Sequence, residues 1–140
     1  MTEKRTGKVS GKTAGKMLGT MCPFFVVRGV DQTLAFYCDK LGFTRLHQQP
    51  EREPFFALVG RDEAMLFVKA GEAEPLPNSK RDPEMRWDAY VSVHDPDALA
   101  AEFVERGVAF RVPLKDTHDG LRGFEIADPD GYVLFFGRPR

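Results

Sequence analysis

Long apolar runs are missing from this sequence of 140 residues, and their absence limits what the protein can be. No stretch approaches the ~18 consecutive apolar residues that a membrane-spanning helix needs. The first twenty residues contain no apolar segment typical of a secretory signal. The only two cysteines, Cys22 and Cys38, lack CxxC spacing. We therefore expect one compact domain with free thiols in the reducing cytoplasm.

Clustered basic residues are absent from most of the chain. Residues 1–20 carry five lysines and arginines against one acidic residue, whereas the remainder carries 15 basic and 20 acidic residues. An acidic body argues against a nucleic-acid partner, because such surfaces need clustered lysine and arginine. The basic segment has no hydrophobic periodicity and is rich in glycine, lysine and threonine. Residues 1–20 are therefore predicted to form a disordered tail.

Histidine is scarce and scattered. His47, His94 and His118 are the only three, and none has another histidine or a glutamate at the spacing of metal ligands. A solvated side chain is the simplest interpretation of each. His118 differs in one respect, since its loop leads into the predicted strand 121–127. A lone histidine there could act as a general base without a metal.

Two stretches of the sequence resemble each other and predict a tandem repeat. FVVRGVDQTLAFYCDKLGF (25–43) matches VSVHDPDALAAEFVERGV (91–108), and GRDEAMLFV (60–68) matches DPDGYVLFF (128–136). Each unit is predicted as a strand, a helix and three strands, a βαβββ module, which places the chain in the α+β class. The predicted modules span 21–71 and 86–139 within a single domain, 21–139. The proline-rich segment 72–85 is the predicted linker.

Cap residues set the predicted limits of the helices and strands. In the first module Asp31 is the candidate cap of a helix that Gly42 ends. In the second module Asp95 caps a helix that Gly107 closes. Alternating apolar residues after that glycine predict a half-buried strand over 108–113.

The repeat, with FYCDKLGF in its first helix and DPDGYVLFFG near its end, resembles the vicinal oxygen chelate superfamily of glyoxalase I, bleomycin-resistance proteins and extradiol dioxygenases. The resemblance implies a cup-shaped mixed sheet with the helices outside. In metal-dependent members, four inward positions, usually His, Gln or Glu, hold a divalent ion. The matching positions here are Cys22, Phe67, Asp88 and Phe135. Because a phenylalanine ring has no donor atom, we expect no metal and no cofactor.

Strand alternation places further side chains on the inner face of the cup. Adjacent Phe135 and Phe136 must face opposite sides, and Phe136 is assigned to the core. Aromatic walls with a few charges are typical of a small-molecule pocket. The predicted ligand-binding residues are Phe24, Phe67, Asp88, Tyr90, Arg111, Glu125 and Phe135.

The leading functional hypothesis is a metal-independent small-molecule binding protein. It would be similar to bleomycin-resistance proteins, which sequester an antibiotic in clefts between the halves of a homodimer. Aromatic walls would stack on a planar ligand, and Asp88 and Glu125 would meet its positive groups. The expected partners are an aromatic, cationic small molecule and a second copy of the chain, with no nucleic acid or membrane. The alternative is a glyoxalase-like lyase or dioxygenase with a displaced metal site or a metal-free acid–base mechanism, whose catalytic residues are unknown.

Simpler interpretations of the aromatic residues stay open. Phe67 and Phe135 would act as plugs that fill the cup, since protein interiors favour close packing. The role of the protein would then be association alone. Trp87 and Tyr90 would cover a dimer interface, where aromatic residues are also enriched.

The charged residues have simpler interpretations as well. Arg111 and Glu125 would form an ordinary cross-strand ion pair. Asp88 would be a surface carboxylate at the start of a strand. Each of these alternatives predicts a specific contact that a structure can show.

Overall fold

The computed structural model of the chain describes residues 15–140, which form two similar modules. The N-terminal module contains β1 (Phe24–Val27), α1 (Val30–Leu34) continued by a π-helical turn (Ala35–Lys40), β2 (Thr44–Gln49), β3 (Phe56–Arg61) and β4 (Ala64–Ala70). A short helix, α2 (Asn78–Arg81), lies between the modules. The C-terminal module contains β5 (Ala89–Ser92), α3 (Pro96–Glu105), β6 (Val112–Asp116), β7 (Leu121–Ala127) and β8 (Val133–Pro139).

Both modules have the same strand order. The N-terminal sheet runs β1-β4-β3-β2 and the C-terminal sheet runs β5-β8-β7-β6. The first and last strand of each module pair in parallel, and the other neighbours are antiparallel. This confirms the α+β class and the tandem βαβββ modules, and it is consistent with a cup-shaped mixed sheet built from both. Within the described chain the strands form two separate four-stranded sheets.

Each sheet has one face covered by its helix and one face without a helix, which we call the open face. Alternate residues of each strand enter the core beneath the helix, as the period of two predicts. In the C-terminal module Phe136 stacks on Phe124 at 5.4 Å and contacts Phe103 of α3 edge-on, also at 5.4 Å. Phe136 is thus a core residue as predicted, and neighbouring Phe135 lies on the open face.

Two predicted boundaries are wrong for local reasons. The predicted strand over 108–113 begins only at Val112, because Val108 stays at the helix end, where its N–H donates to the Phe103 carbonyl at 3.0 Å. Asp31 is not the N-cap of α1. The helix begins at Val30, and its N-cap position is Gly29, which is extended and has no side chain to form a cap. The Asp95 cap is confirmed, because its side chain accepts from the Ala98 N–H.

The predicted linker and the predicted tail have little regular secondary structure where the structure describes them. The predicted linker 72–85 contains the four residues of α2, a helix too short to leave a periodic signal. Residues 15–20 have no helix or strand, and 1–14 lie outside the described residues, so the disordered tail stays a prediction. Within 15–140 no helix is long and apolar enough to cross a membrane.

The two motifs that carry the family resemblance meet at the seam between the modules. The Tyr37 hydroxyl, from FYCDKLGF, donates to Asp128, the first residue of DPDGY, at 2.9 Å. The other oxygen of Asp128 accepts from the backbone N–H groups of Asp130 and Tyr132. Tyr37 is fully buried and Asp128 is 6% exposed. One carboxylate therefore both shapes its own turn and ties it to the helix of the other module.

The rest of the DPDGY turn contacts β1 and the residue that follows it. The Tyr132 ring stacks on Phe25 with centroids 4.1 Å apart, and its hydroxyl donates to the Val26 carbonyl at 2.7 Å. Asp130 accepts from the Arg28 backbone N–H and its guanidinium, both at 3.2 Å. The turn thus fixes the position of the N-terminal module on the C-terminal module.

Replacing Asp128 with asparagine is expected to remove a pH dependence of stability. Burial raises the pKa of Asp128 from 3.8 to about 6, so the folded protein holds this proton more tightly than the unfolded chain. As pH rises from about 4 to about 6, wild type should lose up to ~3 kcal/mol of unfolding free energy relative to Asp128→Asn. Urea unfolding of both proteins across that range measures the difference. A constant difference would contradict this assignment.

Candidate functional site

The open face of the C-terminal sheet carries three aromatic side chains in contact, the C-terminal cluster. The Phe135 ring lies 5.0 Å from Trp87 and 5.5 Å from Tyr90, both stacked, and Trp87 and Tyr90 are 5.6 Å apart. Phe135 is 2% exposed, whereas Tyr90 is 41% exposed. The buried Phe135 ring therefore supports two outer rings: Tyr90 is open to solvent, and the half-buried Trp87 ring lies 5.0 Å from the Arg86 guanidinium.

A pair of facing glycines makes room for the Phe135 ring. Gly123 of β7 lies opposite Gly137 of β8 in the register. A Cβ atom would lie 2.6 Å from the Phe135 Cζ atom if placed on Gly123, and 2.6 Å from its Cε2 atom if placed on Gly137. Neither distance is possible for a real side chain. The two glycines thus allow Phe135 to lie flat against the sheet.

Glu125 stands beside Phe135 in the register and is only 5% exposed. Its carboxylate is paired with the guanidinium of Arg111, and the Arg111 N–H donates to the Glu125 carbonyl at 2.8 Å. The Arg111 side chain is 40% exposed. The cross-strand ion pair expected as the simpler interpretation is present, and its accessible half is the positive one.

Asp88 has both carboxylate oxygens engaged by backbone. One oxygen accepts from the Asn78 N–H at 2.7 Å and the other from the Val133 N–H at 2.8 Å. Its own N–H donates to the Val133 carbonyl at 2.7 Å. Asp88 therefore ties α2 and the start of β8 to the chain entering β5, and each of its oxygens already serves a structural hydrogen bond.

The four positions that match the metal site of the family do not fit a divalent ion. Phe67 and Phe135 have no donor atoms. Cys22 and Asp88 are the remaining two donors, fewer than the three that catalytic zinc keeps. Within 15–140 no group of three or more His, Cys, Asp or Glu residues is arranged to hold a metal.

The open face of the N-terminal sheet carries a second group, the N-terminal cluster. Phe24 and Phe67 are opposite in the register and stack at 5.4 Å, and Phe56 lies 5.8 Å from Phe67 and 6.0 Å from Phe24. His47 meets Phe56 edge-on at 6.1 Å. Phe24 is 56% exposed, so this cluster faces solvent in the single chain.

The seven predicted site residues lie on two different sheets of the chain. They divide into two groups: Phe24 and Phe67 on the N-terminal sheet, and Asp88, Tyr90, Arg111, Glu125 and Phe135 on the C-terminal sheet. No aromatic contact among the described residues joins the two clusters. Sequence reasoning missed Phe56 as a site residue, although its alternation with buried Ala57 and Val59 would have placed it on the open face.

A cavity of about 690 Å³ lies elsewhere, at the seam between the modules. Its apolar wall includes the core residues Leu41, Leu66 and Phe103. Two of its charged groups, Arg61 and Glu102, pair with each other through two hydrogen bonds of 2.8 Å. The rest of its polar lining includes Asp62, Glu63, His94 and Asp95, and Tyr90 of the C-terminal cluster also lines it. The open faces carry the stacked aromatic rings and are taken as the candidate site.

A family model described as "Glyoxalase/Bleomycin resistance protein/Dioxygenase superfamily" matches residues 20–136. The chain belongs to this superfamily. The match confirms the resemblance carried by the two motifs. Among curated proteins, no significant relative of this superfamily member is found.

Solved structures with the same fold include antibiotic-binding proteins. A bleomycin-binding protein complexed with bleomycin is 19% identical with a TM-score of 0.68, over 88% of this chain and 100% of that one. The bleomycin-binding protein of Streptomyces verticillus, complexed with copper(II)-bleomycin, is 24% identical with a TM-score of 0.67, over 91% and 100%. TnmS3, an antibiotic-binding protein from Streptomyces sp. CB03234, is 23% identical with a TM-score of 0.61, over 89% and 100%. At these identities the likeness shows a shared fold.

Proposed function

We propose that this superfamily member binds a planar small molecule, of the size and kind of an antibiotic, without using a metal. The observation that carries the proposal is the C-terminal cluster, where buried Phe135 holds Trp87 and Tyr90 at the open face. Stacking on exposed aromatic rings is a favourable way to hold a flat ligand. The antibiotic-binding neighbours support the ligand class, and sequestration of a toxic compound would be the biological role.

The Trp87 indole adds a polar feature to this site. Its Nε1 atom is buried and has no hydrogen-bond partner among the described residues. A buried N–H without an acceptor costs about 1–3 kcal/mol. An acceptor atom on the ligand would relieve that cost, and it would fix the orientation of a molecule stacked on the aromatic rings.

We further propose that the site is completed in a homodimer. The two clusters lie on separate sheets of one chain, so a cleft with two aromatic walls needs the N-terminal cluster of one copy and the C-terminal cluster of another. Phe24, 56% exposed, and its stacked partner Phe67 form an apolar patch that such an interface would cover.

The homodimer is testable by light scattering. At micromolar concentration we expect twice the mass of the chain, from an interface burying more than ~1,000 Å². Phe24→Asp should shift the protein toward monomer, because it places a charge in the covered patch. Val104→Asp, at a 65% exposed position on α3, is the matched control and should leave the mass unchanged. A monomeric wild type would contradict the proposal.

Ligand binding is tested by removing the outer aromatic surface. Trp87→Ala should weaken a planar ligand found by screening by roughly 1–3 kcal/mol, the usual scale for an aromatic anchor. Val104→Ala, remote from both clusters on α3, should bind like wild type. Calorimetric titration of the three proteins gives the comparison. Equal affinities would show that the C-terminal cluster is not the site.

A further inference from the structure

We propose that the ligand of the open faces is anionic as well as planar, an inference that rests on the proposed function. The sequence favoured a cationic ligand because Asp88 and Glu125 were expected to be free. The structure commits both carboxylates within the chain. Asp88 accepts from two backbone N–H groups, and Glu125 is paired with Arg111 and 5% exposed.

The accessible charged side chains that the strand register places on the open faces are basic, and at the rim of the C-terminal cluster Arg86, over the Trp87 ring, pairs with Asp119. Lys69 lies opposite Phe56 in the register and is exposed beside the N-terminal cluster. Lys115 lies opposite Gly123, next to the glycine pair beneath the Phe135 ring, and is also exposed. Lys69 on the N-terminal sheet, and Lys115 and Arg111 on the C-terminal sheet, thus give each open face at least one cation beside its aromatic rings. This is so although the chain after residue 20 has more acidic than basic residues.

The hydrogen-bonding groups at the C-terminal cluster also favour an anionic ligand. Glu125 bonds one terminal nitrogen of Arg111, so the partly exposed guanidinium keeps other N–H donors. The Trp87 indole can only donate. A ligand seated on these rings therefore meets donors and positive charge, and a carboxylate, phenolate or sulfonate on a planar skeleton would satisfy both.

Three probes that share one ring system test the charge of the ligand. They are anthracenecarboxylate, anthracenemethanol and anthracenemethylamine, titrated against the full chain at neutral pH by fluorescence. The carboxylate should bind about tenfold more tightly than the amine, the scale of one hydrogen bond to a charged group, with the alcohol between them. The inference is overturned if the amine binds as tightly as the carboxylate while the proposed function stands. If no probe binds up to its solubility limit, the proposed function fails and the inference fails with it.

Variants test which residues cause the preference for the carboxylate. Lys115→Gln, and separately Arg111→Gln combined with Glu125→Gln so that no buried charge is left unpaired, should each reduce the preference for the carboxylate over the amine several-fold. Arg138→Gln is the matched control, since Arg138 alternates with Gly137 on β8 and lies on the other face. It removes the same single positive charge as Lys115→Gln and should leave the preference unchanged. A preference that falls equally in Lys115→Gln and Arg138→Gln would reflect net charge alone and would overturn the assignment to the open faces.

Discussion

Replacing Phe136 with alanine is expected to cost about 3–5 kcal/mol of unfolding free energy, the largest single loss we predict. The ring is 2% exposed and lies between Phe124 of the same sheet and Phe103 of α3. Truncation leaves a cavity at the centre of the core, which the two neighbouring rings can fill only in part. Urea denaturation should show a lower midpoint with an unchanged slope.

Phe135→Ala is the informative comparison, because the two residues are adjacent and equally buried. Loss of Phe135 also costs packing, but it removes the support on which Trp87 and Tyr90 stack. Among molecules that remain folded, Phe135→Ala should lose affinity for a planar ligand and Phe136→Ala should keep it. If both variants lose stability and neither alters binding, Phe135 only fills the open face and the proposed site is elsewhere.

Strand alternation predicted which of these two rings faces the core, and the reason is physical. Successive side chains of a strand must point to opposite faces, so one buried position fixes its neighbours. The same rule placed Phe124 and Ile126 in the core and turned Glu125 to the open face, as observed. The tandem modules could also be predicted, because two stretches of the first half match two stretches of the second half. The match includes the glycines that end the two helices, Gly42 and Gly107.

Contacts between distant segments could not be predicted in this way. Asp88 was expected to face a ligand, yet its oxygens accept from a backbone group of α2, 10 residues earlier in the chain, and from one of β8, 45 residues later. Nothing in local spacing reveals such partners. The FYCDKLGF and DPDGY motifs predicted the family, but only the structure shows that Tyr37 and Asp128 bind each other across the seam.

The sequence also could not predict that the candidate site residues are divided between two sheets. Alternation assigns a residue to a face of its own sheet and says nothing about how two sheets face each other. Phe24 and Phe135 were therefore placed on one cup, whereas within the chain they belong to separate open faces. The proposed cleft therefore requires a second copy of the chain.

Gly123→Ala should destabilise the fold by about 3 kcal/mol or more, at or beyond the upper end of what overpacking usually costs. The added Cβ would meet the Phe136 carbonyl oxygen and the Phe135 ring, and it would lie 2.9 Å from the Gly137 Cα. The ring can rotate away, but two of these neighbours are backbone of the paired strand, so the strands must separate. Gly71→Ala is the matched control, because a Cβ there meets nothing within 4 Å, and its stability should change by less than about 0.5 kcal/mol.

The same substitution tests the architecture of the site. If the facing glycines exist so that Phe135 lies flat, Gly123→Ala should also disturb the stacked Trp87 and Tyr90 rings. Tryptophan fluorescence reports this directly, since Trp87 is the only tryptophan in the chain. We expect a shifted emission in folded Gly123→Ala and an unchanged one in Gly71→Ala. A stable Gly123→Ala with wild-type emission would show that the Phe135 ring tolerates the added methyl group. The glycine pair would then not be needed to position the C-terminal cluster.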